Sequence, residues 1–185
     1  PAFARGRRGA VRAPFLDHIV VMVRDLGQRR QRPHEVLLDR FRLDGEPFDC
    51  GWCHCRTCQL YGGAPAMPFA TVPTGDFSWF KGEELVRWID SSSFGKRAFC
   101  SRCGSPLQVR VAHQPETVDF PIATLDDPGA VAPEFHIFWA SRIPWYDPGD
   151  DLPRHKKFRP DTRGLEGTEP PDESSLAGGS SERVG

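Results

Sequence analysis

The chain has 185 residues, of which 38% are hydrophobic and 11% aromatic, and a formal net charge of −1. That is the length of one domain with tails, and the charge leaves no global field to draw the protein onto nucleic acid or an anionic membrane. The longest purely apolar run, residues 19–23, falls far short of the roughly 20 residues a spanning helix needs, so neither partner is expected.

Residues 1–32 carry eight arginines and begin at Pro1. They read as a basic extension, disordered or not native to the fold, in which Phe15, Leu16, Ile19, Val20 and Val23 could line one short helix. Arg24 and Asp25 interrupt the pattern of a secretory leader, so the expected compartment is the cytoplasm. From Val36 the pattern changes to short alternating segments. Phe41 and Leu43 oppose Arg40, Arg42 and Asp44, and Gly45-Glu46-Pro47 turns the chain. A strand then leads into a cysteine cluster, and one helical turn follows it, ended by Gly62-Gly63. Strands are expected at 67–72, 77–79, 85–89, 97–99 and 107–111. Val118, Phe120 and Ile122 mark another, with Pro121 suggesting an edge or a bulge. After the turn Asp126-Asp127-Pro128-Gly129, the residues Phe135, Ile137 and Trp139 alternate with His136 and Phe138. The expected domain spans 33–153. Residues 154–185, rich in Pro, Gly, Ser and Glu toward the end, cannot bury enough surface to offset their ordering entropy and are expected to be a disordered tail.

The chemistry concentrates in Cys53-His54-Cys55-Arg56-Thr57-Cys58, which holds three of the six cysteines. Thiolates bind metal, and such close spacing lets one tight turn aim several sulfurs at a point about 2.3 Å away, so zinc is the expected cofactor. In a reducing compartment metal binding is favoured over disulfides at this spacing. Phe99-Cys100-Ser101-Arg102-Cys103-Gly104 forms a second knuckle, with Gly104 free to take positive φ. The metal ligands expected are Cys53, Cys55, Cys58, Cys100 and Cys103. Three thiolates on one divalent ion leave one excess negative charge, and Arg56, Lys96 and Arg97 are the cations near enough in sequence to balance it and to bind a thiol cofactor. His54 points away from its flanking cysteines in an extended segment and is not expected to be a ligand. His136, Trp79, Trp88, Trp139 and Trp145 read as packing residues, and no catalytic residue beyond the zinc ligands is expected.

These motifs resemble the glutathione-dependent formaldehyde-activating enzymes, grouped with centromere protein V. The resemblance rests on Cys53-His54-Cys55-x-x-Cys58, Gly63-Ala64-Pro65, Trp79-x-Lys81-Gly82, Phe99-Cys100-x-x-Cys103-Gly104-Ser105-Pro106-Leu107, Thr124-Leu125-Asp126-Asp127-Pro128 and Pro133-x-x-His136-Ile137. It implies a mainly β, tent-like fold of short antiparallel sheets around zinc-binding cysteine clusters. One zinc would be held by the three cysteines at 53, 55 and 58 with a position left open. A structural zinc would be held by Cys100 and Cys103 with an N-terminal Cys-x-Cys. The implied activity is condensation of formaldehyde with glutathione to S-(hydroxymethyl)glutathione. The N-terminal Cys-x-Cys is missing: its positions hold His34 and Val36, and Cys50 is the spare sulfur. Two functions stay open from sequence. One is a zinc carbon–sulfur lyase acting on thiol adducts; the other is a non-catalytic scaffold stapled by a closed zinc site that draws on both clusters.

Overall fold

Alternation of apolar and polar residues over four to seven positions gives strands whose two faces meet different surroundings, and most of the regular structure among the described residues is of this kind. The computed structural model describes Ile19–Val20 and residues 40–159. The remaining basic extension, with His34, and the C-terminal segment from residue 160 lie outside the described residues. The strands are β1 (Ile19–Val20), β2 (Arg40–Leu43), β3 (Phe48–Cys53), β4 (Met67–Pro73), β5 (Phe77–Lys81), β6 (Val86–Asp90), β7 (Gly95–Cys100), β8 (Pro106–Val111), β9 (Thr117–Pro121) and β10 (Phe135–Ile137). The helix α1 covers Arg56–Gly62, and 3-10 turns fill several connections. The fold is mainly β, as the alternation predicts, and Ile19–Val20 pairs as a strand with β2 rather than joining a helix.

Two sheets form. A small one has the order β1-β2-β5 and a large one the order β10-β3-β4-β9-β8-β7-β6. All neighbours in the large sheet are antiparallel except β10 and β3, which run parallel with Ile137 opposite Cys53. Pro121 closes β9 opposite Phe69, inside the sheet order rather than at its edge; a proline is tolerated there because it is the last residue of the strand. The alternation expected through Trp139 stops at Ile137. Phe138 takes φ 54 and starts a 3-10 turn over Trp139–Ser141.

Parity separates the two faces of the large sheet. Even-numbered Cys50, Ala70, Val72, Val118 and Phe120 pack with Phe41, Leu43 and Phe77 of the small sheet in one fully buried cluster. Odd-numbered Cys53, Met67, Val109, Phe135 and Ile137 form a second cluster on the opposite face. The first face glues the sheets together, which leaves the second to build a site. Among the described residues no helix is long and apolar enough to cross a membrane.

The described chain continues past residue 153. His136 N–H donates to the Pro153 carbonyl, His155 N–H to the His136 carbonyl, Trp139 N–H to the His155 carbonyl and Phe138 N–H to the Lys157 carbonyl. Residues 153–159 thus lie beside β10 as a strap. Arg159 fastens its end to Asp49 at 2.6 Å, and the Phe158 ring meets Phe138 edge-on at 4.7 Å. These backbone bonds and the two Phe158 and Arg159 anchors order a segment whose composition alone reads as tail.

Candidate metal centre

β3 delivers Cys53 at its last residue, and the chain then turns into α1. Cys55 is the N-cap of that helix, its sulfur accepting the Cys58 N–H at 3.4 Å, and Gly63 ends the helix in the left-handed region at φ 60. The Cys-x-x-Cys spacing is therefore a capping arrangement, which brings the cap sulfur and the sulfur three residues on to the same side of one turn. The Sγ atoms of Cys53, Cys55 and Cys58 all lie within 4.8 Å of one another, and all three residues are buried. Zinc bonded to sulfurs at about 2.3 Å places tetrahedral neighbours about 3.8 Å apart, so the donor set fits that ion with little closure.

Arg97 enters from β7. Its Nη2 donates to Cys58 Sγ at 3.2 Å and its Nη1 to Ser91 Oγ at 2.7 Å. The guanidinium also stands 5.3 Å from the centre of the Tyr61 ring. Tyr61 in turn ties α1 to the sheet, its hydroxyl donating to the Ala98 carbonyl and accepting the Leu107 N–H. The cluster shares charge unequally. Hydrogen bonds from Cys53 and Cys55, then Arg97, hold the Cys58 thiol well below its ordinary range against the pull of burial. Hydrogen bonds to Cys55 and Cys58, together with burial, push Cys53 well above it.

The other expected residues fall elsewhere. Cys100 is buried in a separate cluster with Ala98 and Leu107, and Cys103 packs against that cluster with its sulfur 3.1 Å from Ser105 Oγ. Among the described residues the group of three close ligands contains neither, so the closed site joining both cysteine pairs is not what the geometry brings together. Cys50 faces the inter-sheet core, where burial pushes its thiol to about 12. Lys96 points away from Arg97 on β7 and pairs with Asp90 at 3.7 Å. Arg56 is exposed and bonds Gln59. His54 is fully buried on the even face, its Nε2 2.9 Å from His136 Nδ1, while His136 Nε2 meets Asp150 at 3.1 Å. This relay, flanked by Trp139, holds the loop between two of the sulfurs. Trp88 and Trp145 are largely exposed.

Above the sulfurs lies a cavity of about 120 Å³. Odd positions of the large sheet form much of its wall, including Phe69 and Thr71 of β4, Val109 and Val111 of β8, and Asp119 of β9, and loop and strap residues complete it. Asp119 Oδ1 accepts a 2.7 Å bond from Thr71 Oγ1. Desolvation pushes its carboxyl up to about 6. Sequence inspection passes over this carboxyl because it lies in an ordinary alternating strand. Its odd parity is the one signal available, and only the strand order shows which odd positions share a face with Cys53.

Similarity to known proteins is clearest at the level of the family. The family model described as glutathione-dependent formaldehyde-activating enzyme matches residues 39–141. A Schizosaccharomyces pombe protein named as an uncharacterized lyase is 36% identical over 55 residues, which is 30% of this chain and 38% of that protein. A solved crystal structure of a Rhodobacter sphaeroides protein superposes with a TM-score of 0.42 at 18% identity, covering 63% of this chain and 92% of that one. With its three sulfurs at the head of α1 and more than half its length matched, the chain belongs to the family of glutathione-dependent formaldehyde-activating enzymes.

Proposed function

We propose that the protein is a zinc-dependent carbon–sulfur lyase that joins formaldehyde to glutathione or another small thiol, and cleaves the resulting S-(hydroxymethyl) adduct in reverse. The observation that carries this reading is three buried sulfurs, within 4.8 Å of one another, opening on a cavity. Structural zinc takes four protein ligands, whereas three leave a position for substrate. Zinc held by Cys53, Cys55 and Cys58 would supply Lewis acidity toward a carbonyl oxygen and lower the pKa of a thiol.

The chain's own residues supply the rest. Arg97 balances the excess charge of three thiolates through its bond to Cys58. Thr71 fixes one oxygen of Asp119, which leaves the other to take up and release a proton around pH 6 on the wall that the adduct's oxygen would face. Arg56, exposed beside the cavity residue Thr57, is the cation we assign to a glutathione carboxylate. The unit is one domain over residues 40–159, working in the reducing cytoplasm.

The deciding experiment measures zinc per chain and the rate of S-(hydroxymethyl)glutathione formation in the parent and in Cys55→Ser. We expect at least one zinc in the parent and loss of both the site's zinc and the activity in the variant. Activity persisting in a variant that has lost that zinc would reject the mechanism.

A further inference from the structure

The cavity is lined for a larger and less polar aldehyde than formaldehyde, which would be the poorer of the two substrates. Five phenylalanines wall it, Phe69, Phe94, Phe135, Phe138 and Phe158. Formaldehyde is a two-heavy-atom polar molecule that gains nothing from five rings, and its hydrate prefers water. Glutathione fits no better within the cavity, because two carboxylates need cations. Arg97 is the one cationic side chain on the wall among the described residues, and it is already engaged by Cys58 and Ser91. Asp49 and Asp119 add negative charge to the same wall, although Arg159 neutralises Asp49. The volume of about 120 Å³ is close to that of an apolar cavity known to take one benzene ring, about 150 Å³.

Resting on the lyase reading above, we infer that the aldehyde half of the substrate is an uncharged, single-ring aromatic aldehyde, seated among the phenylalanines with its carbonyl toward the sulfurs and Asp119. The thiol's sulfur attacks the carbonyl carbon, a carbon–sulfur bond forms, the carbonyl π pair moves to oxygen, and that oxygen takes a proton. The thiol loses one proton, so the product is a neutral hemithioacetal and no oxidant or reductant is consumed. Phe94 and Phe158, both half-buried, are the wall residues that can be shortened without opening the sheet.

Two measurements test this on the full-length zinc-loaded protein. Benzyl alcohol, an unreactive probe of the ring site, is titrated by ligand-observed NMR against the parent, Phe94→Ala and Phe158→Ala. Exchange between free aldehyde and glutathione hemithioacetal is followed by NMR for benzaldehyde, 4-carboxybenzaldehyde and formaldehyde. We expect benzyl alcohol to bind the parent and to bind each variant roughly tenfold more weakly, the factor for about 1.4 kcal/mol of lost ring contact. We also expect kcat/KM for benzaldehyde to exceed that for the other two aldehydes by at least about tenfold. Formaldehyde turnover without benzyl alcohol binding, or equal use of the carboxylated aldehyde, overturns the inference and leaves the lyase reading standing. Benzyl alcohol binding that depends on Phe94 and Phe158, with no aldehyde turned over, keeps the ligand class and removes the lyase reading. Should either variant fail to fold, the comparison of the three aldehydes on the parent decides alone.

Discussion

At the scale of single residues, charge at the sulfur cluster is set by one guanidinium. Replacing Arg97 with Gln keeps a hydrogen-bond donor and removes the positive charge that Cys58 meets at 3.2 Å. Zinc affinity, measured by competition with a chromophoric chelator, is expected to fall about 10- to 100-fold, as for other groups that support a metal's ligands. Asp119 gives a prediction with a pH sign. Its carboxyl is raised from 3.8 to about 6 in the folded protein, so the folded state binds that proton more tightly than the unfolded chain does. The native state therefore loses stability as pH rises from about 4 to about 6, and the full cost stands above that range. Asp119→Asn removes the cost and can still accept from Thr71. Denaturant melts should show the variant more stable by roughly 2 kcal/mol at pH 8 and no more stable at pH 4, while its condensation rate falls. A purely structural carboxyl would show the first effect without the second. Of these two residues only Arg97 was legible from sequence, because it lies three positions before Cys100. Asp119 was not, since its meaning depends on a neighbour 48 positions away, Thr71.

At the scale of elements, the site depends on how closely β10 approaches β3. Gly51 makes that approach possible: a Cβ there would stand 2.3 Å from the Phe135 ring. Gly51→Ala would drive that ring outward and into the cavity, and is expected to destabilise the protein by about 1–3 kcal/mol and to weaken ring-sized ligands more than zinc. Thermal melts and the benzyl alcohol titration check the two parts. The alternation that foretold the strands could not foretell this pairing, because Gly51 and Phe135 are far apart in sequence and their strands run parallel. The short helix was readable from Gly62-Gly63, but the role of Cys55 as its cap was not, because the residue serves as ligand and cap together. His54 was expected to point away from its neighbouring sulfurs and does, into a buried chain with His136 and Asp150 that local spacing does not encode.

At the scale of the whole molecule, the large sheet works as a partition. One face is committed to the inter-sheet core and the other to the sulfurs and their cavity. The strap completes the second face, and its residues come from a segment whose composition alone reads as tail. Ending the chain after Leu152 should cost about 3–7 kcal/mol through five lost backbone hydrogen bonds. It should also raise the rate at which a thiol reagent titrates Cys53, Cys55 and Cys58. Denaturant melts and a timed thiol assay on the shortened and parent proteins check both effects.

Chain order gives the strap a consequence during biosynthesis. The ribosome releases Phe158 and Arg159 about a hundred residues after Cys58, an interval of roughly 5–20 s at ordinary elongation rates. Throughout it the nascent sulfurs lack the wall that Phe158 supplies. Metal capture and oxidative damage therefore compete before the polypeptide is finished, and cells short of zinc or under peroxide stress should accumulate newly made, cross-linked protein while molecules completed earlier are spared.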